Sequence, residues 1–144
     1  MIRLIEVLGY RCLRYIRQPL GPFHILVGPN ASGKTTFLDV VSFVGRLVRE
    51  GLDAALDERT ANFQDLVWNR EDKPFEIAIE AAIPSHLRNK LREERWDTIR
   101  YEIRIGLDSG IQAVAILDES VLLKTWREEK KQRSGFFPLS RLLR

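Results

Sequence analysis

The stretch His24-Ile-Leu-Val-Gly-Pro-Asn-Ala-Ser-Gly-Lys-Thr-Thr-Phe-Leu-Asp-Val-Val41 decides how this chain is read. A short apolar run enters a loop of Gly, Pro, Asn and Ser, and leaves it through Lys34 and Thr35 into a helical pattern. Gly28 to Thr35 fits the phosphate-loop pattern G-x-x-x-x-G-K-[ST], or Walker A loop, without a mismatch. Each residue type has a physical reason to be there. Gly28 and Gly33 allow backbone angles and close approaches that a side chain forbids. Between them Asn30, Ala31 and Ser32 present successive amide N–H groups that can form an anion nest. The helix opening near Gly33 adds its unsatisfied N–H groups and the positive end of its dipole. Lys34 is expected to reach the β- and γ-phosphates of a nucleotide, with the Thr35 hydroxyl as the Mg²⁺ ligand and Thr36 as the last of the binding residues.

The flanks have the required order. Phe23 to Val27, between Pro22 and Gly28, reads as a short buried strand. After the loop, Phe37, Leu38, Val40, Val41, Val44, Leu47 and Val48 recur at helical spacing, and Gly51 supplies a stop. So broad an apolar surface predicts a helix buried against a sheet. Upstream, residues 2 to 8 read as a strand broken by Gly9, and residues 12 to 18 as a second strand closed by Pro19.

Downstream, Asp53 to Arg59 reads as a short helix and Phe63 to Trp68 as an apolar connector. Phe75, Ile77, Ile79 and Ala81 alternate with polar or small residues, as do Tyr101, Ile103 and Ile105, which predicts half-buried strands. Pro84-Ser85 opens an expected charged helix through Trp96. Ser109-Gly110 suits a hairpin turn into a strand over 111–117.

With 144 residues and 44% apolar side chains, the chain has the size and composition of one globular domain. No run of apolar residues approaches membrane-spanning length, and Glu6 falls where a secretory signal would be apolar. Cys12 is the only cysteine, so an intrachain disulfide or a cysteine-cluster metal site is excluded. A cytoplasmic protein without a membrane partner is expected. Net charge is +3, of which +5 lies in 124–144, leaving −2 for the remainder. That basic tail is either a solvated mixed-charge helix face or a contact for nucleic acid.

The stretch Phe23 to Val44 resembles the N-terminal part of the ABC-type ATPase heads of the SMC, RecF and OLD group, often labelled AAA-family ATPases. Gly-Pro-Asn-Ala-Ser-Gly-Lys-Thr-Thr is the form that carries the likeness. The opening, Met1 to Pro22, resembles the group's first strand and its aromatic-basic pair, here Tyr10-Arg11. The resemblance implies that Arg11 lies near the nucleotide phosphates. It also implies an α/β fold: a P-loop NTPase head with an antiparallel β subdomain. Residues 1–51 would form the strand–loop–helix core, 63–123 the subdomain with its charged helix, and 124–144 a basic tail. Together they make a single, incomplete ATPase domain.

Relatives hydrolyse ATP with a later Asp-Glu strand end, a signature Ser-Gly-Gly segment, a glutamine loop and a switch histidine, sandwiching ATP between two heads. Those parts are expected to come from the remainder of the head or from a second ATPase head. No catalytic residue is therefore assigned within 1–144. Ala113 to Glu119 imitates the Asp-Glu strand, but only Ile111 and Gln112 separate it from Gly110, too few for the intervening signature helix. Gln64 reads as a loop residue. His24 and His86 lack triad or metal partners at usable spacing, and the three tryptophans form no stacking platform. DNA, or a nuclease or effector protein, is the partner the resemblance implies, in repair or anti-phage defence. A nucleotide-sensing module and a small phosphate-loop kinase are the alternatives, the latter disfavoured by the absence of an arginine-rich lid.

Overall fold

A computed structural model of the chain describes residues 1–93 and 95–126. Its frame is one antiparallel sheet of five strands in the order β2-β1-β3-β4-β5. These are β1 (Ile2–Tyr10), β2 (Leu13–Pro19), β3 (Phe75–Ala82), β4 (Thr98–Asp108) and β5 (Ala113–Lys124). The long helix α1 (Lys34–Glu50) and the short α2 (Leu52–Asp57) follow β2 in sequence. Single 3-10 turns at Phe63–Leu66 and Trp68–Arg70 lead to β3.

Strand alternation sorts the side chains onto two faces. Cross-strand rows on one face run Ile16, Val7, Ile77, Ile103 and Ile5, Ile79, Tyr101, Val121. Phe37, Val40, Phe43, Val44 and Leu47 of α1 are buried and belong to the same core, as the apolar spacing predicts. Tyr10, Phe43 and Phe75 form its aromatic centre, with ring centroids 5.1 to 5.8 Å apart. Gly51 ends α1 at φ 90°, its N–H returning to the Leu47 carbonyl.

The other face is ionic. Glu6, Glu80 and Arg100 are buried there, and Arg100 donates to Glu80 at 2.8 Å, to Glu6 at 2.9 Å and to Glu102. Lys124 adds a bond to Glu80 at 2.9 Å. Charges this deeply placed persist only when paired.

Three expectations are corrected. Phe23 to Val27 is not a strand: Phe23 is 80% and Val27 88% exposed, because none of the five strands pairs with that segment. The charged helix over 84–96 shrinks to α3 (Ser85–Arg88). It has no buried residue to hold more turns, and short helices without a buried face are marginal. Gly9 does not end β1; at φ +71° it carries the strand through to Tyr10. The hairpin turn at Ser109-Gly110 forms as expected, Asp108 Oδ1 accepting from the Gly110 N–H at 2.7 Å. Its second strand, however, runs to Lys124.

Candidate nucleotide-binding site

The loop Gly28 to Gly33 leads directly into the first turn of α1, so the amide-rich turn and the helix N-terminus are one continuous piece. Gly33 caps the helix at φ +88°, and Ala31 also lies in the left-handed region at φ +63°. A Cβ on Gly33 would meet Cys12 Sγ at 3.2 Å, and one on Gly28 would meet Ser32 Oγ at 2.9 Å. Gly33 is therefore required by its backbone angle, while a side chain at Gly28 would have to displace the Ser32 hydroxyl.

Lys34 lies across the loop. Its Nζ donates to the carbonyls of Gly28 at 2.7 Å and Pro29 at 2.6 Å, and to Ser32 Oγ at 3.2 Å. Pro29 O also accepts from the Ser32 N–H at 3.3 Å. Asn30 and Ala31 are exposed at the turn's tip. The two threonines differ. The Cys12 thiol donates to Thr36 Oγ1 at 3.2 Å, whereas Thr35 is exposed and its hydroxyl has no protein hydrogen bond among the described residues.

Arg11 sits on the same turn as Cys12, at φ +50°. Its guanidinium lies 5.9 Å from the centre of the Tyr10 ring and makes one long ion pair, 3.5 Å, with Asp39 of α1. Asp39 is the hub of a cluster: it accepts from Tyr10 Oη at 2.6 Å and from Arg59 Nε and Nη2 at 3.0 and 2.8 Å. Burial pushes its carboxyl up, but those hydrogen bonds and the two guanidinium charges outweigh it and hold Asp39 below the usual range. Burial, then the Asp39 hydrogen bond, raises the Tyr10 phenol well above its ordinary value. The Arg11 N–H donates to Leu66 O at 2.8 Å, and Tyr10 bridges Val67. The turn is thus tied both to α1 and to the connector. Cys12 and Asp39 were missed by sequence reasoning, because only the fold brings residues 24 to 29 positions apart together.

The remaining candidates lie elsewhere. Asp118 and Glu119 are mid-strand in β5, opposite Arg104 and Ile103, and Glu119 accepts from Tyr101 Oη at 2.6 Å. Gln64 donates to Asp72 at 3.0 Å. His24 Nδ1 accepts from the Gly21 N–H at 3.1 Å, an ordinary turn contact. No group of His, Cys, Asp or Glu suited to a metal occurs among the described residues. No helix among them is long and apolar enough to cross a membrane. The basic tail lies, from residue 127 on, outside the described residues.

The sheet, the buried helix and the loop at its N-terminus together define a phosphate-loop NTPase. Residues 23–134 match the family described as "AAA domain, putative AbiEii toxin, Type IV TA system". With that match over most of its length, the chain belongs to this family. An OLD nuclease of Thermus scotoductus (strain ATCC 700910 / SA-01) is 46% identical over 44 residues, 31% of this chain and 8% of the relative. Among solved structures, one from work on "ATP-driven dimerization and DNA stimulated activation of SMC ATPases" is similar in fold. Its TM-score is 0.56 at 22% identity, over 86% of this chain and 69% of that one.

Proposed function

We propose that this chain binds Mg-ATP through Gly28–Thr36, and that hydrolysis depends on residues supplied from further sequence or by a second polypeptide. The observation that carries this reading is the loop itself: an amide-rich turn with a glycine in the left-handed region, a lysine and a threonine hydroxyl unengaged among the described residues, at the N-terminus of a 17-residue helix.

The chemistry follows from the donors present. Lys34 spends its N–H groups on loop carbonyls and Ser32, and phosphate oxygens are stronger acceptors for the same ammonium. Binding would therefore exchange those bonds for bonds to the β- and γ-phosphates, while the loop amides and helix end hold the remaining oxygens. Thr35, with its hydroxyl unengaged, fits a magnesium ligand; Thr36, engaged by Cys12, does not. Magnesium, when bound, offsets phosphate charge. Arg11, its guanidinium held among the described residues only by a long ion pair to Asp39 and by the face of the Tyr10 ring, is the residue on this turn able to turn toward phosphate.

Dependence on a partner is supported by the exposed apolar segment. Phe23, Ile25 and Val27 before the loop and Leu38 and Val48 on α1 are each at least 60% exposed. Apolar side chains left so exposed suit burial against further strands, from the rest of a head or from a second one. A DNA-linked role, in repair or anti-phage defence with a nuclease or effector partner and in the cytoplasm, rests on the named relatives. A second reading, a nucleotide sensor with little turnover, is favoured by Asp118 and Glu119 lying inside a hairpin strand.

Equilibrium Mg-ATP binding and turnover on the 144-residue chain test this, with Lys34→Ala as the control. Binding lost in the variant, without turnover, is expected. Lys34-dependent turnover by the chain alone would make it self-sufficient and overturn the half-site reading. Equal binding by both proteins would overturn the site.

A further inference from the structure

Two arginines share the Asp39 carboxylate, and they share it unequally. Arg59, just after α2, donates to Oδ1 through Nη2 at 2.8 Å and Nε at 3.0 Å, and to Oδ2 through Nε at 3.2 Å. Its Nη1 is engaged as well, on the Ala55 carbonyl at 3.0 Å and on Glu58 at 2.9 Å. Tyr10 Oη donates to Oδ2 at 2.6 Å. Arg11 is left 3.5 Å from the same Oδ2, beyond the roughly 2.7–2.9 Å of a good charge-assisted bond. Its side chain is 34% exposed, against 6% for Arg59.

The place of this carboxylate matters. Asp39 stands four residues after Thr35 on α1, so the two share a helix side about one turn, 5.4 Å, apart. The turn that carries Arg11 reaches the phosphate loop itself: Cys12 Sγ and Leu13 Cδ2 lie 3.2 and 3.3 Å from where a Cβ on Gly33 would stand. The Arg11 backbone is fixed by its N–H bond to Leu66 O. Its guanidinium at Asp39 is therefore about one helical turn from the Thr35 hydroxyl, within the sweep of an arginine side chain.

We propose that Arg59 is a positioning residue for phosphate binding: by occupying Asp39 it keeps Arg11 from closing a short pair with that carboxylate, and leaves the Arg11 guanidinium available to a phosphate oxygen. This rests on the reading that Gly28–Thr36 binds Mg-ATP. The physics is a competition for one anion. A carboxylate with unfilled acceptor sites beside a guanidinium draws it into a bidentate pair. With Arg59 in place the Asp39 charge is balanced, and phosphate is the stronger attraction for Arg11. Without Arg59 the partly buried carboxylate keeps only Tyr10, and Arg11 is the other guanidinium whose charge acts on it. Arg11 then closes onto Asp39 and is lost to the nucleotide. Arg59 thus acts on binding through Asp39 and Arg11, without touching phosphate.

Equilibrium binding of Mg-ATP to the full chain separates this role from a structural one. Arg59→Met keeps an apolar stem against Phe43 and removes the charge. It is expected to weaken binding about tenfold, as Arg11→Ala does, since each removes one charge-assisted bond to phosphate. Combining the two should weaken binding no further. Arg59→Met with Asp39→Asn removes the competing charge while keeping an acceptor for the Tyr10 hydroxyl. That double variant should return to within about twofold of the unaltered chain, whereas a purely structural Arg59 would leave it no better than Arg59→Met alone. Near-ultraviolet circular dichroism checks that each variant is folded. A folded Arg59→Met that binds like the unaltered chain, or a double variant that does not recover, would overturn the proposal. So would an Arg11→Ala chain that binds as tightly as the unaltered one, a result that needs no change at Arg59. Equal binding by the unaltered and Lys34→Ala chains is the separate failure, which overturns the site and the proposal with it.

Discussion

Phe43 and Phe23 make an instructive pair. Each lies in an apolar run beside the phosphate loop, one in the helix after it and one in the segment before it. Phe43 is fully buried against Tyr10 and Phe75, with the Arg59 guanidinium 5.3 Å from its ring; Phe23 is 80% exposed. Composition does not separate them. What separates them is whether an opposing surface is present: the apolar face of the sheet shares one core with α1, and none of the described strands pairs with residues 23–27. Apolar content proposes burial, and topology decides it.

The contrast can be broken from either side. Phe43→Ala removes a buried ring at the aromatic centre and is expected to cost about 3–5 kcal/mol in denaturant unfolding. Asp39→Ala leaves Arg59, whose side chain is 6% exposed, with only Glu58 and the Ala55 carbonyl, and the Tyr10 hydroxyl without its acceptor. A loss of about 2–3 kcal/mol is expected, read by the same unfolding curves. A change near zero there would mean the cluster contributes only to positioning.

The ionic face offers a smaller, pH-dependent test. Glu76 is 1% exposed and neither carboxyl oxygen has a hydrogen-bond partner. Burial pushes its carboxyl up to about 7 from an ordinary 4.5, against the opposing pull of Arg104. The folded state therefore holds a proton that the unfolded state releases earlier. Stability is full below about pH 4.5, falls as pH rises toward 7, and levels off above it. Glu76→Gln cannot ionise, so it should be more stable than the parent at pH 8, by about 2 kcal/mol, and similar at pH 4.5. Thermal melts at the two pH values decide; an equal gain at both would remove ionisation as the cause.

Phe23→Ser sets the small end of the scale. Exposed substitutions usually stay within about 0.5 kcal/mol, so unfolding of the chain alone should hardly change. Aggregation in light scattering should fall. A large loss of stability would show that the segment is packed after all.

How much was legible in the sequence follows the same division. The loop was, because its chemistry lies in eight consecutive residues, and α1 was, because its buried face repeats every 3.6 residues. The alternation in 75–81 and 101–105 marked two of the strands. The exposure of Phe23–Val27 was not legible, since an apolar run bounded by turn residues reads as a buried strand wherever partners exist. Nor was the collapse of the 84–96 helix, where Leu87, at 42% exposure, finds no opposing surface. At the site, Lys34 and Thr35 were legible. That Thr36 is engaged and Thr35 is not depends on Cys12, brought in by a turn 24 residues earlier.

Cys12 has a practical consequence. It is the single thiol of the chain, exposed, and bonded to a threonine of the phosphate loop. The molecule thus carries its own attachment point for an optical reporter. One environment-sensitive dye, coupled without any engineering of the sequence, would sit at the rim of the loop and turn the arrival of a nucleotide into a change in fluorescence.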